Sequence, residues 1–134
     1  MRIARDLVEE IVAHAREEAP AECCGMVASR DGDAVRVYRA ANAAEERLRR
    51  LRFEIGPREQ LQIQTEIEEA GLELGAIYHS HTRTEPHPSQ TDINFARGWP
   101  GVLWIIVGVS EHEPEVRTWR IDNGRVAETG LEVR

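Results

Sequence analysis

The chain has 134 residues, 41% apolar and 31% charged, with a net charge of −7. That length fits one compact domain, spanning 1–134, whose core needs no disulfides, and no stretch approaches the ~20 apolar residues of a membrane span. The acidic balance argues against a nucleic-acid partner, which needs a basic patch. All 17 basic residues are arginine. The opening run Met1-Arg2-Ile3-Ala4-Arg5-Asp6 enters an amphipathic pattern directly, with no signal peptide, so a cytoplasmic location is expected.

From Arg2 to Ala19 the apolar residues Ile3, Leu7, Val8, Ile11, Val12 and Ala15 recur at helical spacing, and Pro20 ends the run. Glu22 to Ser29 and Ala34 to Ala40 read as two strands joined by a turn at Arg30-Asp31-Gly32-Asp33. Asn42 to Arg50 reads as a loop or short helical turn, and Arg52 to Ile55 as a short strand. The basic run Arg47-Leu48-Arg49-Arg50-Leu51-Arg52 reads as a solvated element edge, or else as a dock for an acidic partner.

Pro57 to Ala70 is expected to form a second helix carrying Leu61, Ile67 and Ala70, stopped by Gly71. Leu74 to His79 predicts a buried strand, Ser80 to Pro88 a loop with two prolines and no core pattern, and Ser89 to Ala96 a third helix. Val102 to Val109 is nearly all apolar, the pattern of a central strand covered on both faces. Val116 to Ile121 and Arg125 to Val133 close the chain as strands around the hairpin signal Asp122-Asn123-Gly124. The expected fold class is α/β, with one mixed sheet flanked by helices.

The two cysteines, Cys23 and Cys24, are adjacent. Neighbouring Cα atoms lie ~3.8 Å apart, too close for an unstrained disulfide. Strand alternation puts Cys24 and Glu22 on one side and Cys23 on the other, each cysteine a small buried filler or else a thiol lining the site. His14 and His112 read as surface residues, His87 as a rim residue or substrate contact, and Trp99, Trp104 and Trp119 as core or rim aromatics.

His79 and His81, two apart at a strand end, point to the same face and can share one metal ion. Asp92, in the first turn of the third helix, can complete a set of three ligands. Three protein ligands leave a fourth tetrahedral position for water, as in a catalytic zinc site. Each part also has a plainer reading. A lone histidine is usually a surface or core residue, and Ser89-x-x-Asp92 resembles a helix cap. Ser89 and Asp92 can do both jobs, because i and i+3 share a helix face. A hydrolytic site also needs a base, and Glu22 at the mouth of the first strand is the candidate. Taken alone, Glu22 would be placed at the surface.

Together, His79-x-His81, seven residues, then Ser89-x-x-Asp92, with an upstream glutamate on an early strand, resemble the JAMM (MPN-plus) metalloprotease motif. The element order resembles that family over nearly the whole chain, which implies a cytidine-deaminase-like α/β fold. The resemblance implies zinc held by His79, His81 and Asp92 with a bound catalytic water, Glu22 as general acid/base, and Ser89 as hydrogen-bond donor to the oxyanion. It also implies that Gly25 lets the backbone pass close to the site.

Pro20-x-Glu22-x-Cys24-Gly25 and Tyr78-His-Ser-His-Thr82-x-Thr84-Glu85 are most similar to the small bacterial members. Thr82 stands where many other members have proline. These bacterial members imply a partner of ubiquitin-like fold, a sulfur carrier ending in Gly-Gly, from whose terminal glycine cysteine is released. The alternatives are a desampylase or deubiquitinase-like isopeptidase, C-terminal processing of a ThiS- or MoaD-like carrier, a carrier-binding module with structural zinc, and a non-catalytic scaffold. Pairing of two copies is left open. Nucleobase deamination would need H-x-E and P-C-x-x-C, and the chain has neither.

Overall fold

The computed structural model describes residues 1–110 and 113–134; His112 lies outside the described residues. In chain order the elements are β1 (Arg2–Ile3), α1 (Arg5–Glu18), β2 (Cys24–Arg30), β3 (Asp33–Ala40), a 3-10 turn (Glu46–Leu48), α2 (Pro57–Glu69), β4 (Glu73–His81), α3 (Gln90–Ala96), β5 (Leu103–Gly108), β6 (Glu115–Asp122), β7 (Arg125–Thr129) and β8 (Glu132–Val133). They build the expected α/β fold around one mixed sheet of order β7-β6-β5-β4-β2-β3-β1-β8.

That order dictates the shape of the sheet. Only Gly130 and Leu131 separate β7 from β8 in the chain, yet the two strands sit at opposite ends of the order. Three Cα steps reach about 11 Å at most. The sheet therefore curls until its edges nearly meet, which removes most of the open edge.

The curl accounts for two departures from the periodicity. Arg2–Ile3 is a strand rather than the first turn of α1: it pairs in parallel with β8, and Ile3 is buried in the core on the α1 face. Arg125 to Val133 is correspondingly two strands, the first on β6 and the second on β1. A local pattern does not reveal the pairing of β1 with β8, because Arg2 and Ile3 lie 130 residues from their partners Glu132 and Val133.

Both hairpin turns carry the left-handed backbone that their residues favour, at Asp31-Gly32 (φ 50° and 83°) and Asn123-Gly124 (φ 51° and 79°). Arg52 to Ile55 forms no strand; it contributes one isolated bridge, Asn42 to Ile55. On α2 the buried residues are Ile63 and Ile67, whereas Leu61 is 68% exposed and Ala70 is also exposed. The inward face is thus rotated from the one expected. Among the described residues no helix is long and apolar enough to cross a membrane.

Each face of the sheet has its own core. One gathers Cys24, Met26, Ile77, Trp104, Ile106 and Trp119. The other gathers Cys23, Val27, Tyr78, Ile105 and Val107 with Ile11 and Ala15 of α1. Both cysteines are free and buried, on opposite faces as alternation requires. Burial raises both thiols above their ordinary value, which fits a packing role. His14 is not a surface residue: it is buried under α1, its Nδ1 2.7 Å from the Tyr78 hydroxyl.

Gly25 serves the α1 face rather than the face of His79. A Cβ there would collide with the Tyr78 ring and with the Tyr38 carbonyl. One of those obstacles is backbone and cannot rotate away. Gly25→Ala is expected to lower stability by about 3 kcal/mol in urea unfolding; a loss below about 1 kcal/mol would show that the sheet absorbs the methyl.

Candidate metal centre

Strand β4 ends in Tyr78-His79-Ser80-His81, so alternation sends His79 and His81 to one face and Tyr78 and Ser80 to the other. On one side β5 runs parallel, pairing His79 with Ile106 and His81 with Gly108. On the other, β2 runs antiparallel with Cys24 opposite His79. Continued by two residues, that register sets Glu22 opposite His81. Ser80 fixes the junction: its hydroxyl accepts from Cys23 N–H (2.8 Å) and its own N–H donates to the Cys23 carbonyl (3.2 Å).

Helix α3 brings the carboxylate. Ser89 is the N-cap, its Oγ accepting from Asp92 N–H (3.1 Å) while Ser89 N–H donates to Asp92 Oδ2 (2.9 Å). The reciprocal pair is a capping box. The plainer reading of Ser89-x-x-Asp92 therefore holds, and the same Oδ2 also faces both histidines. It lies 3.1 Å from His79 Nε2 and 3.1 Å from His81 Nε2, and the two Nε2 atoms are 3.2 Å apart. All three residues are buried.

This triangle fits a cation. Tetrahedral ligands about 2.0–2.1 Å from zinc stand about 3.3–3.4 Å from one another, close to the separations seen here. The donor set, two imidazole nitrogens and one carboxylate oxygen, suits zinc. His81 Nδ1 donates to the Glu85 carbonyl (2.8 Å), which places its proton there and turns the Nε2 lone pair toward the triangle.

His79 Nδ1 is buried and has no hydrogen-bond partner among the described residues. Its ring is instead stacked on Phe53, with centroids 4.6 Å apart and planes at 26°. Phe53 in turn stacks on Phe95 at 5.6 Å. The sequence carries no signal for Phe53 beyond a lone aromatic residue in a polar stretch.

The electrostatics are those of a site short of positive charge. For Asp92, burial opposes ionisation, but the two histidines and the Ser89 N–H outweigh it and hold the carboxyl well below its ordinary value. For His81, burial likewise opposes the charged form. The hydrogen bonds to Asp92 and Glu85, with the charges of Asp92 and Glu22, win and raise its pKa. A cation entering the triangle would therefore compete with a proton, and its affinity would rise with pH.

Glu22 is 4% exposed, not at the surface, and its Oε1 has no hydrogen-bond partner among the described residues. Burial pushes its pKa up to about 8, with Asp92 adding to the shift and His81 opposing it. From its ordinary 4.5 up to about 8, the folded carboxyl keeps a proton that the unfolded chain releases. The metal-free fold therefore loses stability as pH rises through that window. Glu22→Gln should then raise metal-free stability by about 2–4 kcal/mol at pH 9 and change little at pH 4, in denaturant melts at both pH values. An equal gain at both would show that charge is not the cause.

The 82–88 loop is better seated than its composition suggests. Pro86 and Pro88 are buried, and Trp119 Nε1 donates to the Pro86 carbonyl (2.9 Å). A Cβ on Gly108 would come within 2.9 Å of Pro86 Cδ, so glycine there admits the loop. Thr82 ties its start to the Pro20 carbonyl (2.9 Å). His87 is an exposed rim residue, edge-on to Trp119 at 4.6 Å, and stands outside the triangle. In the basic run Arg47 pairs with Glu45 (3.0 Å) and Arg49 Nε donates to the Ala44 carbonyl (2.9 Å), in keeping with an element edge.

Comparison with known proteins points to a family. Residues 4–122 match the family described as prokaryotic homologs of the JAB domain. The CysO-cysteine peptidase of Mycobacterium tuberculosis is 37% identical over 133 residues, covering 98% of this chain and 89% of the relative. The desampylase of Haloferax volcanii is 40% identical over 113 residues, covering 79% and 78% respectively. Among solved structures, a Desulfitobacterium hafniense protein superposes with a TM-score of 0.84 at 27% identity, over 100% of this chain and 93% of that one.

Proposed function

The chain belongs to the prokaryotic JAB-domain family, and from that premise we propose that it is a zinc-dependent peptidase. In this reading it hydrolyses the amide at the C-terminal glycine of a ubiquitin-like sulfur carrier and releases cysteine. The observation that carries the chemistry is the buried triangle of His79 Nε2, His81 Nε2 and Asp92 Oδ2, with edges of 3.1–3.2 Å. All five groups, Glu22 and Ser89 included, come from one chain.

Zinc, when bound, would supply a Lewis acid that acidifies water and polarises the scissile carbonyl, and a charge that offsets the burial keeping Glu22 protonated. His79, His81 and Asp92 would hold it. Glu22, as carboxylate, would take the proton from the attacking water and deliver it to the leaving amine. Ser89 Oγ accepts the Asp92 N–H. Its own proton is thereby free to be donated to the oxygen that gains charge on the attacked carbon.

The nature of the leaving group rests on the relatives. The mycobacterial relative is named as a CysO-cysteine peptidase and aligns over nearly the whole chain, which favours cysteine. The haloarchaeal relative, a desampylase of similar identity, supports an isopeptide bond as the second reading. The two are separated by offering the zinc-loaded protein a Gly-Gly-ended ubiquitin-like carrier with either a C-terminal cysteine or a lysine isopeptide conjugate. Faster mass loss from the cysteine adduct is expected. Faster cleavage of the conjugate would reassign the leaving group, and stability of both would leave a scaffold.

A further inference from the structure

The segment between β3 and α2 contains no strand, yet it controls the backbone of Glu22. The Glu22 peptide lies just ahead of β2, outside the ladder that begins at Cys24. Its N–H donates to the Arg49 carbonyl (2.7 Å) and its carbonyl accepts from Asn42 Nδ2 (3.1 Å). Both bonds come from the same segment. The carboxyl has one oxygen without a partner among the described residues, so its place depends heavily on where the backbone sits.

Asn42 is the knot of that segment. Its Nδ2 donates a second time, to the Arg52 carbonyl (3.0 Å). Its Oδ1 accepts from Ala44 N–H (3.1 Å) and Glu54 N–H (3.2 Å). The side chain thus makes all four hydrogen bonds open to an amide. Two carbonyls can only accept and two N–H groups can only donate, so the amide has one orientation that serves all four. No other side-chain type of this length offers two donors and two acceptors.

We propose that Asn42 is a positioning residue for the hydrolysis, keeping Glu22 opposite His81 by holding the Glu22 peptide carbonyl. It rests on the reading of Glu22 as proton carrier given above. Asn42→Asp keeps an acceptor for Ala44 and Glu54, loses both donations, and sets an anionic oxygen against the carbonyls of Glu22 and Arg52. Asn42→Ala removes all four bonds.

The test measures kcat, KM and zinc content for both variants, with the cysteine adduct of a Gly-Gly-ended carrier or, if that is not cleaved, its lysine conjugate. kcat should fall about 10–100-fold, since small misplacements of a reacting group have that effect. KM and zinc content should stay near the parent values. In a Glu22→Gln background, adding Asn42→Ala should change the residual kcat by less than about twofold, because the two act as one unit.

Full kcat in Asn42→Ala, or the same loss with and without Glu22, would overturn the proposal. If the alanine variant does not fold, Asn42→Asp carries the same cycle. Full turnover of Glu22→Gln alone would instead overturn the role given to Glu22. An inactive Glu22→Gln beside a fully active Asn42→Ala sinks the positioning role only.

Discussion

Glu22→Gln is expected to lower turnover by about 10²–10⁴-fold, the usual contribution of a positioned acid/base, while zinc content stays at one per chain. The amide matches the carboxyl in shape and lies outside the triangle, so His79, His81 and Asp92 are undisturbed. What disappears is the ability to take and return a proton. The same substitution should stabilise the metal-free fold at high pH, because it removes a buried carboxylate whose Oε1 has no partner among the described residues. A residue that weakens the fold and serves the reaction has opposite effects in the two assays. Loss of turnover with loss of zinc would show that Glu22 acts on the metal rather than on the proton, and undiminished turnover would remove it from the chemistry.

Asp92→Asn is expected to act one step earlier. Its Oδ2 meets both imidazoles and the Ser89 N–H, and it is the only anion in the triangle. Changes in groups that merely support a metal ligand weaken binding about 10–100-fold; removing a charged ligand should exceed that. The amide oxygen can still accept from Ser89 N–H, so the cap on α3 and the fold should survive. Competition with a chromogenic chelator would measure the affinity, and activity should return in excess zinc only to the extent that the site refills. Parent-like zinc affinity in this variant would mean that the carboxylate is a cap and not a ligand.

Legibility in the sequence followed the reach of each interaction. His79 and His81 were legible because a strand repeats every two residues, and Ser89 with Asp92 because a helix brings i and i+3 together. Those periods act within a few residues. Glu22 was legible only as the base that a hydrolytic site requires; taken alone it reads as a surface residue, since its burial depends on β4 lying beside β2. Phe53 against His79 and Asn42 on the Glu22 carbonyl were not legible, because both contacts are set by the path of an irregular segment.

The same limit explains the misread ends of the chain. Ile3 continues the helical spacing of Leu7 and Ile11, but β8 offers its backbone a partner, and pairing decides. His14 lies three residues from Ile11 and seven from Leu7, so spacing alone turns it inward; its polar ring reads as a surface group until Tyr78 is seen to give it a buried partner. Pro86 looked like loop punctuation and proved to be a buried wedge between Gly108 and Trp119. In each case local pattern placed the element, and a distant partner decided what its residues touch.

The central claim is that the triangle holds a zinc ion that this chain uses to hydrolyse an amide at a carrier's terminal glycine. Its most direct test is mass spectrometry of a Gly-Gly-ended carrier bearing a C-terminal cysteine, incubated with the protein in ¹⁸O-labelled water. The prediction is loss of cysteine with one labelled oxygen in the new glycine carboxylate, abolished by chelator and restored by zinc. An unchanged carrier mass with zinc bound, or cleavage that persists at full rate in chelator, would contradict it.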